Sequence, residues 1–208
     1  MKGFTYEYET KSECLETYEW DNVWWEHAND PTKPRVLYIG DSISCGARGH
    51  LNTMLEGEVY LDNLGTSKGI DNPFFADTIK LFAAQQGHRC AVFFNNGLHG
   101  WHLDDETEYK QYYEKMILFL KEEFSGTPLF LLLTTPVADA ERDARVVARN
   151  RVVVELAEKY GVPTLDYYSV IKAHTEWLSP RDGVHLAGEG SRAIGKLAVA
   201  EIQKIVKG

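Results

Sequence analysis

A serine, an aspartate and a histidine occur in this sequence where a folded chain could use them together. Ser42 ends the tripeptide Gly40-Asp41-Ser42, which directly follows the apolar run at residues 36–39. Asp182 and His185 lie three residues apart near the other end of the chain. A carboxylate that accepts a hydrogen bond from an imidazole fixes its tautomer, and the imidazole can then remove a proton from a serine hydroxyl. These residue types, in the order Ser, Asp, His, indicate nucleophilic catalysis if the fold brings them together.

Each of the two motifs also has a purely structural interpretation. Asp and Ser are common helix N-caps, so Asp41 and Ser42 could do no more than begin a helix. Asp182 and His185 could likewise belong to an ordinary surface turn, where Asp and Gly are common. Neither phosphate-binding pattern, GxxxxGK[ST] or GxGxxG, occurs in the sequence. It is the combination of the two motifs that favours catalysis over capping.

The elements that would position these residues are strands and helices in alternation. Short apolar runs, typical of buried parallel strands, occur at residues 36–39, 58–61, 90–94, 129–133 and 163–165. Segments with helical periodicity occur at residues 72–87, 107–124, 143–160 and 190–206. This alternation predicts a parallel sheet covered by helices on both faces, in which ligands bind beyond the carboxyl ends of the strands. Ser42 and the Asp182–His185 turn are both expected at that edge.

Length and composition predict one globular domain with an extension. The chain has 208 residues, of which 44% are hydrophobic and 25% are charged, as in ordinary globular proteins. The stretch Asp30-Pro31-Thr32-Lys33-Pro34 interrupts any helix. We therefore expect an N-terminal extension over residues 1–34 that packs on a domain formed by residues 35–208.

Charge and apolar patterning exclude several classes of partner. The net charge of −9 argues against generic binding to nucleic acid or to anionic lipid. The longest apolar run, residues 129–133, is far too short to span a bilayer. Acidic residues occupy the start of the chain where a signal peptide needs an apolar run, so we expect a cytoplasmic protein, although a mature exported form would look the same. The oligomeric state stays open.

No cofactor or metal is expected. Cys14, Cys45 and Cys90 are odd in number and contain no CxxC pair, which favours reduced thiols over disulfides or a zinc site. Cys45, three residues after Ser42, is expected to pack beneath the turn. His99 and His102 lack the helical spacing and the glutamate of a zinc protease.

The sequence resembles the SGNH hydrolases of the GDSL-like lipase and esterase superfamily, over about residues 35–190. Gly40-Asp41-Ser42 resembles the first block of that family, which carries the nucleophile, and Asp182-Gly183-Val184-His185 resembles its last block. Residues 61–67 resemble the second block, whose glycine amide lies in the oxyanion hole; Gly65 is the better match and Gly69 the weaker one. The resemblance implies a flavodoxin-like three-layer α/β/α sandwich with a five-stranded parallel sheet.

The third block is where the sequence departs from the family. The family has GxND, with the Asn as an oxyanion donor, whereas this chain has Asn95-Asn96-Gly97-Leu98-His99-Gly100-Trp101. Aligned on Gly97, His99 takes the position of that Asn. The third donor is therefore Asn96, which we favour, or His99, with Asn95 as a further alternative.

The resemblance implies a serine esterase that hydrolyses small acyl esters through an acyl-serine, such as a carbohydrate O-acetylesterase. Ser42, Asp182 and His185 would be catalytic, and Ser42, Gly65 and Asn96 (or His99) would form the oxyanion hole. Asp41 and Trp101 are expected to bind substrate. The aromatic cluster of Trp20, Trp24 and Trp25 could be core or a substrate wall.

Other functions remain open at this point. They are a lipase, lysophospholipase or thioesterase of the same family, a non-catalytic domain that binds acylated glycans, and a flavodoxin-like flavin or phosphate-receiver protein. For the hydrolase hypotheses the expected partner is a small-molecule ester, which could be an acylated carbohydrate.

Overall fold

The computed structural model of the chain describes residue 15 and residues 18–207. The strands are β1 (Asp21–Trp24), β2 (Arg35–Gly40), β3 (Tyr60–Thr66), β4 (Arg89–Phe94), β5 (Leu129–Leu132) and β6 (Thr164–Leu165). The helices are α1 (Ser42–Leu55), α2 (Phe75–Ala83), α3 (Glu106–Glu123), α4 (Ala140–Tyr160), α5 (Tyr167–Lys172) and α6 (Gly188–Lys207). A 3-10 turn at Thr175–Trp177 precedes α6.

The strands form one sheet whose topology determines where a site can lie. The strand order is β1-β3-β2-β4-β5-β6; β2 to β6 are parallel, and β1 runs antiparallel to β3. The chain passes from β2 to β3 on one side and then to β4 on the other, so the winding direction reverses at β2. In sheets of this flavodoxin-like order the ligand crevice opens at the carboxyl ends of the strands where the order reverses. Gly40, the last residue of β2, lies at that point, directly before Asp41 and Ser42.

Alternate residues of the strands bury against helices on opposite faces. Leu37, Ile39, Val92 and Phe94 pack with the apolar sides of α2, α3 and α4. Val36, Tyr38, Ala91 and Phe93 pack with α1 and α6. Both faces of the parallel strands are therefore covered, which explains why β2, β4 and β5 are nearly continuous apolar runs rather than alternating ones.

The three-layer α/β fold with five parallel strands is confirmed, and one strand was not predicted. β1 lies in the segment predicted as an extension and adds an antiparallel edge to the sheet. All four of its residues are exposed, so the sequence there lacks the alternation of apolar and polar residues that would have indicated a strand. The division of the chain at residue 34 stays a prediction.

No helix in the part of the chain that the structure describes combines the length and the apolar character needed to cross a membrane.

Candidate active site

Ser42 is the first residue of α1, and Asp41 is its N-cap. The Asp41 backbone is extended, with φ −114° and ψ −152°, and its Oδ1 accepts a hydrogen bond of 2.9 Å from the Ile43 N–H. Ser44 Oγ donates to the Asp41 carbonyl oxygen at 2.7 Å. These bonds hold a tight strand-to-helix turn in which Ser42 stays partly exposed. The turn places a hydroxyl beside the first-turn N–H groups, which have no partners within the helix and favour negative charge.

Asp182 and His185 form a hydrogen-bonded pair in the loop before α6. Asp182 Oδ2 lies 3.1 Å from His185 Nδ1, while Asp182 Oδ1 accepts from the backbone N–H groups of Val184 and His185 at 2.8 and 2.9 Å. Gly183 has φ +67°, a conformation that favours glycine. Burial raises the pKa of Asp182, but the N–H groups of His185 and Val184 outweigh it and hold that pKa below its usual value. The pair thus combines an ionised carboxylate with an oriented imidazole.

The loop with this pair is attached to the carboxyl edge of the sheet. The Ala138 N–H, in the loop after β5, donates to the Gly183 carbonyl oxygen at 2.8 Å. Helices α1 and α6 are also in contact, since a Cβ at Gly46 would lie 3.8 Å from Ser191 Oγ and one at Gly188 3.8 Å from His50. Ser42 and the Asp182–His185 pair therefore lie at the edge of the sheet at which the sequence predicted them.

The hydroxyl of Ser42 and the imidazole of His185 are not hydrogen-bonded to each other. Within residue 15 and residues 18–207 no such bond joins them, and the His185 and Asp182 side chains are 45% and 41% exposed. Catalytic hydrogen bonds are often long in unliganded proteins and shorten with substrate bound. Of the two contacts in the predicted triad, the one between Asp182 and His185 is present. The contact between His185 and Ser42 stays a prediction.

Gly65 lies beneath the Ser42 turn, inside the sheet. It is opposite Gly40 in β2 and opposite Asn22 in β1. A Cβ on Gly65 would lie 2.2 Å from Cys45 Sγ and 3.3 Å from the Asp41 carbonyl oxygen, so only glycine fits there. The thiol of Cys45 packs into this space, and burial raises its pKa, as suits a packing residue rather than a nucleophile.

The backbone of Gly65 is directed away from the Ser42 turn. The Tyr60 N–H donates to the Pro34 carbonyl on the β2 side, and strand residues alternate in the side to which they bond. Gly65, five residues on, therefore directs its N–H to β1, where Asn22 is its partner. Oxyanion donation by Gly65 stays a prediction. Gly69, the weaker sequence match, lies beyond β3 against Gly100, since a Cβ on it would lie 2.9 Å from the Gly100 Cα.

The three candidates for the third donor follow β4, and each is held by the protein. Asn95 Nδ2 donates to the Leu132 carbonyl oxygen and to Thr134 Oγ1, at 2.8 and 3.0 Å. Asn96 is buried and its Nδ2 donates to the Lys68 carbonyl oxygen at 2.8 Å. This leaves Asn96 with a second amide hydrogen, whereas both amide hydrogens of Asn95 have acceptors.

His99 lies two residues beyond Gly97 and is also buried. Its ring makes an edge contact with Trp20, at 6.1 Å between centroids. The choice between Asn96 and His99 stays a prediction.

The two residues predicted to bind substrate are both buried. Trp101 is 3% exposed and packs against the guanidinium groups of Arg145 and Arg149, whose central carbons lie 4.9 and 4.6 Å from its ring centroid. Asp41 is also 3% exposed. Together with Ser44 and Thr135 it lines a cavity of about 10 Å³, and this cavity has room for no more than a single water. The structure gives both side chains packing or capping roles, and contact with a substrate stays a prediction for each.

The N-terminal tryptophans do not form one cluster. Trp25 stacks on Phe82 at 4.8 Å and belongs to the core. Trp24 is exposed, under the guanidinium of Arg48. Trp20 alone lies at the candidate site.

The segment of Trp20 is fixed by Asp21. Both Asp21 carboxylate oxygens accept from Lys68 Nζ at 2.7 Å, just beyond β3. Of the three N-terminal tryptophans, only Trp20 therefore remains a candidate for lining a substrate site, together with the residues beside it.

Sequence reasoning missed the contacts that join the loops after β3 and β4. His102 Nε2 lies 2.6 Å from Asp71 Oδ2, and both side chains are buried. Arg149 reaches the same loop from α4. No sequence signal short of a covariation between distant positions could have found these pairs, because the partners are 31 and about fifty residues apart.

Solved structures share this arrangement of strands and helices. A member of the lipolytic G-D-S-L family from Veillonella parvula is 16% identical, with a TM-score of 0.67 over 82% of this chain and 98% of that one. An aryl esterase from M. smegmatis is 15% identical, with a TM-score of 0.67 over 83% of this chain and 99% of that one. A carbohydrate acetylesterase from Sinorhizobium meliloti is 13% identical, with a TM-score of 0.68 over 83% of this chain and 100% of that one.

The chain has the fold of the GDSL-like esterases. No family model and no curated protein matches it at the level of sequence. The superposition nevertheless covers nearly the whole length of these three solved structures. About a sixth of this chain has no counterpart in them. At the carboxyl edge of this GDSL-like fold lie Ser42, the Asp182–His185 pair and the two loops joined by Asp71 and His102.

Proposed function

We propose that this protein is a serine esterase that hydrolyses small acyl esters through an acyl-serine intermediate. The observation that carries the proposal is the 3.1 Å hydrogen bond between Asp182 and His185, in a loop attached to the same edge where Ser42 begins α1. The GDSL-like fold supports it, because several proteins with that fold are described as esterases. Fold alone does not fix a function, so the argument depends on the three side chains.

The proposed reaction begins with attack of Ser42 Oγ on the ester carbonyl. His185 Nε2 takes the hydroxyl proton, while its Nδ1–H donates to Asp182 Oδ2 and the charge of Asp182 stabilises the imidazolium. The tetrahedral intermediate collapses when the C–O bond to the alcohol breaks and His185 gives its proton to that alcohol. Water, deprotonated by His185, then attacks the acyl-serine and releases the acid.

The oxyanion of the intermediate needs hydrogen-bond donors at its position. The Ser42 N–H, at the N-terminus of α1, needs the least rearrangement to serve. Gly65 and either Asn96 or His99 complete the proposed set. Because the Gly65 N–H is directed to Asn22, its participation requires β1 to move, whereas one amide hydrogen of Asn96 has no acceptor among the residues that the structure describes.

The exposure of the Asp182–His185 pair supports a proposal about the substrate class. With side chains 45% and 41% exposed, His185 and Asp182 leave room for a bulky alcohol portion, as in an acylated sugar. The net charge of −9 disfavours polyanionic substrates. We therefore propose O-acetylated carbohydrate as the substrate class, with longer acyl chains as the competing class.

The test is hydrolysis of p-nitrophenyl acetate, butyrate and octanoate by the wild type and two variants. Ser42→Ala should lower kcat by about 10⁴-fold or more, whereas Cys45→Ala, three residues away, should retain activity and exclude the neighbouring thiol. A preference for acetate, together with acetate release from acetylated xylooligosaccharides, supports the proposed substrate class. Full activity in a folded Ser42→Ala protein contradicts the proposal.

A second candidate is a non-catalytic domain that binds acylated glycans. The lack of a hydrogen bond between Ser42 and His185, within the residues that the structure describes, favours it. Binding of acetylated xylooligosaccharides without release of acetate, by the wild type and Ser42→Ala alike, would establish it.

A further inference from the structure

The loop between β4 and α3 has no regular secondary structure, yet residues 96–103 are buried. A buried loop needs partners for its backbone carbonyls, because water cannot reach them. This loop contains Asn96 and His99, the candidates for the third oxyanion donor. Whatever holds its carbonyls also fixes where these two side chains lie.

Arg149, on α4, supplies those partners. It is 2% exposed, and its Nη1 donates to the carbonyl oxygens of Gly97 and His99 at 3.0 and 2.9 Å. Its Nη2 donates to those of Gly100 and Leu103 at 2.7 and 3.1 Å. A single rigid guanidinium thus fixes four points along seven residues of irregular chain.

Two aromatic rings lie against the guanidinium of Arg149. Its central carbon lies 4.6 Å from the centroids of both Trp101 and Tyr109. The Tyr109 hydroxyl also donates to the Asn96 carbonyl oxygen at 2.5 Å. Arg149 and Tyr109 therefore act on the same loop, from helices that follow it in the chain.

Burying a guanidinium is costly unless its donors are paired, and a plain apolar residue would avoid that cost but leave four carbonyls without donors. Lysine could not replace it, because an ammonium is a point charge that cannot donate in a planar fork to four oxygens. The buried guanidinium therefore suits a residue that fixes the position of the loop better than one that only stabilises the fold.

We propose that Arg149 is a positioning residue for the oxyanion donor on the loop at residues 96–103. The proposal rests on the proposed esterase function. Oxyanion donors act on the transition state, so a small displacement of Asn96 or His99 lowers kcat and leaves substrate binding nearly unchanged.

The test compares Arg149→Lys and Arg149→Met with Arg151→Lys and Arg151→Met. Arg151 is exposed on the same helix, two residues away, and its variants should match the wild type. Active sites are titrated with a fluorophosphonate, so that turnover is expressed per reactive Ser42. A role limited to folding would reduce the number of titrated sites but not the turnover of each.

We expect kcat per titrated site on p-nitrophenyl acetate to fall at least about tenfold in both Arg149 variants, with KM within about threefold. Amide hydrogen exchange at His99 and Gly100 should become faster. Unchanged kcat per site overturns the proposal. If neither variant folds, Tyr109→Phe is measured instead, since it removes a donor to the same loop, and a wild-type kcat per site there overturns it.

Failure of the proposed function gives a different result. In that case the wild type is not modified at Ser42 and no ester is hydrolysed. Hydrogen exchange still reports on the loop, and unchanged protection at His99 and Gly100 in a folded Arg149→Lys protein overturns the positioning role.

Discussion

Asp182 Oδ2 and His185 Nδ1 lie 3.1 Å apart within one short turn, and the same carboxylate accepts two backbone N–H groups of that turn. The carboxylate is therefore fixed by the chain segment that carries the imidazole. This pairing needs no distant element, whereas its approach to Ser42 depends on how α1 and α6 pack.

The first prediction concerns the role of Asp182. Asp182→Asn keeps an oxygen for the two backbone N–H groups but removes the charge, so we expect kcat to fall by about 10³–10⁴-fold. Because the side chain is 41% exposed, the unfolding temperature should change little. Steady-state kinetics and thermal unfolding measure the two effects. Glu189→Gln, an exposed acid in the first turn of α6, is the control, and equal losses in both variants would contradict a specific role.

The second prediction concerns the pH dependence of activity. The pKa of Asp182 is held below its usual value, although burial raises it, by the N–H groups of His185 and Val184. Asp182 therefore stays ionised between neutral pH and about 3.9, the usual pKa of an aspartate. We expect the side-chain carboxyl ¹³C resonance of Asp182 to titrate at a lower pH than that of an unperturbed aspartate, so protonation of this carboxylate should not reduce kcat/KM between neutral pH and about 4. NMR titration of the ¹³C-labelled protein measures this, and an Asp182 carboxyl that titrates at or above the ordinary pKa of an aspartate would contradict the prediction.

The third prediction tests why residue 65 is glycine. In Gly65→Ala the new Cβ would lie 2.2 Å from Cys45 Sγ, so we expect a loss of unfolding free energy of about 1–3 kcal/mol. Cys45→Ala removes that sulfur, and the double variant should recover much of the loss. Denaturant unfolding of the four proteins of this cycle measures the coupling. Additive effects of the two substitutions would mean that another contact limits the position.

The fourth prediction concerns β1 and the direction of the β3 amides. Asp21→Asn removes the ion pair with Lys68, whose side chain is 9% exposed, and should weaken the docking of β1. Amide exchange should become faster at Asn63 and Gly65, which bond toward β1, and not at Leu64, which bonds toward β2. An increase of roughly fivefold is expected for a pair worth about 1 kcal/mol. Equal acceleration at Leu64 would contradict the alternation.

The fifth prediction concerns acid stability. The side-chain hydroxyls of Thr32 and Tyr60, followed by the Thr32 N–H, lower the pKa of Asp30 from 3.8 to about 2. A carboxyl whose pKa is lowered by folding stabilises the protein above its unfolded pKa, and this contribution is lost as the pH falls from 3.8 to about 2. Asp30→Asn should therefore be less stable than the wild type at pH 6, and the difference in stability should vanish as the pH approaches about 2. Thr32→Val should behave similarly, and a difference that persists in acid would contradict the assignment.

Much of the fold could be predicted because its signals are local. The apolar runs at residues 36–39, 90–94 and 129–133 coincide with β2, β4 and β5, since strands buried on both faces favour continuous apolar residues. The run at residues 58–61 overlaps β3 only at Tyr60 and Leu61, because the rest of that buried strand is largely polar. Ser42 could be placed at the carboxyl edge for the same reason, because it directly follows the first run. β1 was missed because its exposed residues have no periodic pattern.

The predicted roles of Trp101, Asn96 and His99 depended on orientation, which no local signal fixes. Trp101 was expected at the pocket because it follows β4, yet it is buried against Arg145 and Arg149. Asn96 donates to the Lys68 carbonyl oxygen, 28 residues away in the chain. His99 contacts Trp20, which lies in the N-terminal segment.

The sequence by itself determined the layers of the fold, the edge at which chemistry belongs, and the Asp182–His185 pair, because each depends on residues close together in the chain. The tertiary structure alone decided that β1 borders β3, that the Gly65 N–H is directed to Asn22, and that Arg149 holds the loop after β4. The reason is that a buried backbone group takes whichever partner the packing of distant helices and strands brings to it.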